Sequence, residues 1–176
     1  GNYGVNRQVK GKKKEVFAVV GYYVDKEDRP MYSKEYLPTL IHEFNHSFIN
    51  HYLDENQYPA YVKELEPAAV DLFKSSQWSM SRQAYNNWKT MVNESLVRAA
   101  VICYMLDKAY KPEEIRNELL EQMQRNFRWM PELVNVLRKY EKKQAKYSNF
   151  ENFYPNVISF FKEYAQKEND RFEAIK

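Results

Sequence analysis

A single cysteine, Cys103, among 176 residues excludes an intramolecular disulfide, so the order of this chain has to come from packing. No segment is long and apolar enough to span a membrane, so these residues hold no transmembrane helix. A secretory leader is missing too, and the chain begins at Gly1 instead of methionine; we read it as a piece of a longer protein whose address lies outside it. Charge of one sign is scarce, with a net of +3, and the only basic run, Lys10 to Lys14 around Gly11, has the composition of a hairpin tip. With no basic stripe and no recognition motif, nucleic acid is not the expected partner. There is no internal repeat and no low-complexity segment. What is abundant is aromatic: 15 Tyr and 10 Phe, in a length that suits one domain with a single core and a cleft.

Punctuation gives the organisation. Val16 to Val24 is short, β-branched and aromatic, and reads as a strand, with Tyr3 to Val9 available to pair with it across the Lys10-Gly11 turn. Asp25 to Met31 reads as a loop, followed by a helix from about Lys34 to Asp54. A loop containing Pro59 leads to a short helix near Val62 to Lys74, in which Pro67 marks a start or a kink. Ser81 to Tyr110 reads as one long helix. Pro112 and Pro131, each with acidic residues beside it, signal the starts of two more helices, and a last one runs from about Pro155. The expected fold is α+β and mostly helical, with a small N-terminal hairpin or edge strand and about six helices, forming a single domain over 1–176. The aromatic cluster Tyr147, Phe150, Phe153, Tyr154, Phe160, Phe161 and Tyr164 has helix-like spacing and reads as core, not as a sugar platform.

The chemistry is concentrated in His42-Glu43-Phe44-Asn45-His46. Residues four apart on a helix lie nearly above one another, so the two imidazoles of an H-E-x-x-H motif can grip one zinc ion while the glutamate reaches its open position. At about 100° per residue, His46 falls roughly 40° from His42, while Leu37, Leu40, Ile41, Phe44, Phe48 and Tyr52 gather on the opposite side as the expected core face. Zinc needs a third protein ligand and a fourth position for water. His51 is close in sequence, but continuing the helix turns it about 180° away from His42. It also lacks the glycine of H-E-x-x-H-x-x-G-x-x-H, and the spacing is one residue short. Glu94 is the better candidate, a carboxylate on a stripe with Asn87, Thr90, Arg98, Val101 and Met105; the plainer reading is a helix charge paired with Arg98 at i,i+4.

His42-Glu43-x-x-His46 followed by Asn93-Glu94 resembles the gluzincins, zinc metallopeptidases that take a glutamate ligand from a downstream helix. More narrowly, Met80 to Ala99 resembles a bacterial, exported domain family that carries H-E-x-x-H and a later N-E-x-x-x-R-A. The resemblance implies a zincin-like fold, Zn2+ held by His42, His46 and Glu94, and Glu43 as general base on a zinc-bound water. It also implies a peptide or protein substrate for a zinc metalloendopeptidase, and an exported location. In gluzincins an edge strand before the zinc helix pairs with the substrate backbone; here Gly21 would permit close approach, or mark a bulge. Two positions depart from the pattern. Arg98 stands where some gluzincins have an aspartate that orients the first histidine, and no histidine follows His51 to stabilise the transition state. That role falls to Arg98 or to Tyr154, taken to lie in the loop before Pro155, or is absent. Two other functions stay open: a metal-free binding or structural domain derived from a peptidase, and a zinc hydrolase of non-peptide amides.

Overall fold

A chain with four glycines, none beyond Gly21, has to end its helices by other means. In the computed structural model, Ala84, Ala109 and Asn126 each take up a left-handed backbone, with φ of 65°, 50° and 73°. Each is followed by an aromatic residue whose N–H reaches back five residues along the chain: Tyr85 to Met80 (2.9 Å), Tyr110 to Met105 (3.1 Å) and Phe127 to Gln122 (3.0 Å). These are Schellman closures, in which glycine is the usual occupant of the left-handed position.

The structure describes residues 2–12, 15–31, 33–143 and 145–175, and the chain forms two compact units, 1–50 and 51–176. In the first, strands β1 (Tyr3–Arg7) and β2 (Glu15–Val19) form an antiparallel hairpin in the register Tyr3↔Val19, Val5↔Phe17 and Arg7↔Glu15. Lys13 and Lys14 of the basic tip lie outside the described residues. The segment expected to continue as one strand to Val24 breaks, because the Gly21 N–H donates to the Asn2 side chain (2.7 Å) and does not join a ladder. The chain then forms a second, two-residue pair between β3 (Tyr23–Val24) and β4 (Pro30–Met31), where a loop was expected. Asp25 closes it by accepting from the backbone N–H of Glu27 and Arg29 and from the Arg29 guanidinium. These donors hold its carboxyl below the usual range, chiefly through the Arg29 backbone, against a smaller opposing effect of burial. A single 3-10 turn, Lys34–Tyr36, leads into helix α1 (Leu37–Ile49), with Pro38 in its first turn.

Helix α1 buries Glu43, Ser47 and Ile49, and leaves Phe48 58% exposed. Of the apolar wheel expected as its core face, Leu37, Leu40, Ile41 and Phe44 are half-buried and Tyr52 is buried, while Phe48 is the exposed member. β1 and β2 pack along α1, and Ser47 Oγ donates to the Val5 carbonyl (3.3 Å).

The second unit opens with a 3-10 turn, Asn50–Leu53, whose first residue closes the preceding unit, so α1 stops five residues short of the expected Asp54. Five helices follow: α2 (Pro59–Arg82), α3 (Trp88–Asp107), α4 (Pro112–Gln124), α5 (Met130–Lys142) and α6 (Phe150–Glu173). Helix α2 packs on α3 and α6, and α5 on α3 and α6. The core runs through Leu65, Leu72, Met91, Leu96, Trp129 and Phe161, all at most 2% exposed. The Trp129 indole donates to Ser95 Oγ (3.0 Å), which satisfies an N–H that would otherwise be stranded. Asn87 and Asn149 cap α3 and α6 by accepting from the backbone N–H of Thr90 and Asn152. The fold class stands as expected, with six helices and a small N-terminal hairpin among the described residues. The boundary between α2 and α3 does not: α2 begins at Pro59, passes through Pro67 without stopping, and ends at Arg82.

Candidate metal centre

The site starts from the spacing of two histidines. One helical turn apart on α1, His42 and His46 present their Nε2 atoms to each other at 3.2 Å, with their rings nearly perpendicular at 81°. Two nitrogens each about 2.0–2.1 Å from a tetrahedral zinc would lie about 3.3 Å apart, so the pair already has the spacing of two ligands on one ion. Asn50, one further turn along, places its Oδ1 3.2 Å from His46 Nδ1. Accepting the Nδ1 proton there leaves the Nε2 lone pair for a metal, the usual work of a residue behind a ligand histidine. Sequence reasoning missed Asn50, although its i,i+4 spacing from His46 was the available signal.

Gly4 holds the other side of α1. A Cβ at this position would lie 2.0 Å from the Glu43 carbonyl oxygen and 3.2 Å from His46 Cβ, so β1 runs directly against the helix backbone at the motif. Gly4 is therefore the glycine against which the chain's own backbone packs. A Cβ at Gly21 would meet only the Asn2 side chain, at 3.5 Å. Glu43 is 6% exposed.

Glu94 sits in the first half of α3, 8% exposed, and its carboxylate oxygen Oε2 accepts from the Tyr85 hydroxyl (3.0 Å) and from Arg98 Nε (3.2 Å). The i,i+4 pair with Arg98 is present, but it is not a solvated helix charge, since both side chains are nearly buried. Arg98 donates also to the Tyr85 oxygen (2.7 Å) and to Gln122 Oε1 (2.8 Å), and stacks over Phe127. An arginine held this way orients Glu94. Burial, followed by the charge of Glu94, pushes the Tyr85 hydroxyl above the usual tyrosine range, with Arg98 opposing. Tyr85 and Gln122 carry no sequence signal, since the first follows a helix end and the second is one amide on the face of α4.

Among the described residues, His42, His46 and Glu94 form the group able to hold a metal ion, their ligand atoms all within 4.8 Å of one another. Two imidazoles and a carboxylate are donors suited to zinc, with one tetrahedral position left over. His51 is not in this group; its ring packs on Tyr52 and Tyr58. Tyr154 is corrected as well. It lies inside α6, has no exposed surface, and is stacked on Tyr52 and Tyr61, so its hydroxyl cannot reach a substrate. Burial raises its pKa far above the usual tyrosine value.

The H-E-x-x-H helix thus carries two converging imidazoles that, with a carboxylate, make up a group able to hold a metal ion. The chain belongs to the DUF4932 family, a domain of unknown function, whose sequence profile it matches over residues 3–160. No curated protein and no solved structure matches it.

Proposed function

We propose that the domain is a zinc-dependent metallopeptidase in which His42, His46 and Glu94 hold the metal and Glu43 is the general base. The observation that supports this best is the 3.2 Å separation of the two histidine Nε2 atoms, grouped with a buried carboxylate. When bound, zinc would bring the pKa of a coordinated water toward ~7 and polarise a scissile carbonyl. The chain supplies the proton handling. Glu43 follows His42 directly on α1 and is almost excluded from solvent, a setting in which a carboxylate can take the proton of the attacking water and return it to the leaving amine. Asn50 keeps His46 in the tautomer that binds, and Arg98 keeps Glu94 oriented.

Glu43→Gln tests the reading. The amide preserves shape and removes the proton acceptor, so the variant should retain zinc and lose cleavage of a mixed peptide library. A Glu43→Gln protein that cleaves as fast as the wild type would overturn it.

A further inference from the structure

Glu94 is held on one oxygen by two donors of different kinds. Both the Tyr85 hydroxyl and Arg98 Nε donate to Oε2. The Tyr85 oxygen in turn accepts from Arg98, Arg98 donates to Gln122, and Gln122 Nε2 donates to Glu118 Oε1 (2.6 Å), giving a chain in which donors and acceptors alternate across α3 and α4. Gln122 is 3% exposed, and the Arg98 guanidinium lies 5.2 Å from the Phe127 ring centroid, so neither can swing away without unpacking its helix. Tyr85 reaches this chain only because Ala84 accepts a left-handed φ of 65°, a backbone conformation that disfavours a Cβ. A strained residue that delivers a hydroxyl to a buried carboxylate is a reason to look for a role.

We propose that Tyr85 is a positioning residue for the metal site: together with Arg98 it fixes Glu94 through Oε2, so that Oε1 is presented as a single-oxygen ligand. The proposal rests on the metal reading above and extends it. An oxygen that already accepts from a hydroxyl and a guanidinium has its lone pairs engaged. Holding it back prevents the carboxylate from chelating through both oxygens. That keeps a coordination position open for chemistry, as catalytic zinc sites require. Tyr85 is thus assigned to the geometry of the ligand and not to contact with substrate.

Tyr85→Phe removes the hydroxyl and keeps the ring on Phe127, 6.2 Å away between centroids. The whole chain is compared with the wild type by chelator competition for zinc, by the visible spectrum of the cobalt(II)-substituted protein, and by thermal unfolding of the chelator-treated protein. Loss of a group behind a ligand typically costs 10- to 100-fold in metal affinity, and that range is expected here. The cobalt bands should weaken, because cobalt(II) absorbs less strongly when five-coordinate than when tetrahedral. Melting of the metal-free protein should fall by only a few degrees. Gln122→Met, which leaves Glu94 untouched and loosens only Arg98, should produce the same spectral change at smaller amplitude. Unchanged affinity and spectrum in Tyr85→Phe, whatever happens to melting, would overturn the proposal while leaving the metal site standing. A wild type that takes up no zinc would remove both.

Discussion

Gly4→Ala asks whether the hairpin bears on α1. Replacing glycine by alanine within a strand ordinarily stabilises, by roughly 0.5–1 kcal/mol, because alanine loses less backbone freedom on folding. Here the opposite sign is expected. The new methyl would meet the Glu43 carbonyl oxygen at 2.0 Å, a distance that non-bonded carbon and oxygen do not tolerate, and the obstacle is backbone within a helix and not the end of a flexible side chain. The strand would have to retreat by about 1 Å merely to reach the shortest contact seen in proteins, and overpacking of this kind costs about 1–3 kcal/mol. In a chain of this length each kcal/mol lowers the melting temperature by about 2–4 °C. Gly21→Ala is the control, since its methyl meets only the Asn2 side chain at an ordinary 3.5 Å. Thermal unfolding gives the global effect, and hydrogen exchange of the β1 and β2 amides shows where protection is lost. The reasoning fails if Gly4→Ala is as stable as Gly21→Ala and its hairpin amides exchange at wild-type rates.

Ala84 and Ala109 end their helices where glycine would fit better, so Ala84→Gly and Ala109→Gly should each stabilise by about 0.5–1 kcal/mol, read as a rise in melting temperature; a fall would show that these turns do not hold their left-handed backbone. Ser95→Ala removes the acceptor of the buried Trp129 indole and should cost about 1–3 kcal/mol in denaturant unfolding. The Cys103 thiol, 3% exposed and pushed by burial up to about 12, should resist disulfide exchange reagents at neutral pH and react fully once the chain is denatured. Rapid labelling of the native protein would contradict its packing against α5, where it lies 4.0 Å from the Val134 carbonyl.

The site was legible where its signal is local. His42 and His46 converge because the α-helix repeats every 3.6 residues, and Pro112 and Pro131 open α4 and α5 because a proline in the first turn forfeits no hydrogen bond. Glu94 was legible as the odd acid among the apolar and small residues of α3. What sequence could not give was set by contacts between distant segments, or by a turn lacking its usual residue. The end of α2 was invisible because its Schellman closure uses Ala84 in place of glycine. Phe48 was assigned to the core by its place on the helical wheel, whereas it lies exposed. Tyr154 was placed in a loop because Pro155 was read as a helix start. The capping Asn149 begins α6 earlier and carries the tyrosine into an aromatic stack. Gly4 differs from Gly21 only in what lies across from it, which is a property of the fold.

The central claim is that His42, His46 and Glu94 hold one metal ion. Elemental analysis of the whole chain, purified without chelator, tests it against His46→Ala, Glu94→Ala and His51→Ala in parallel. The account predicts about one zinc per chain in the wild type and in His51→Ala, with little or none in the other two. Equal zinc in all four, or loss in His51→Ala alone, would contradict it.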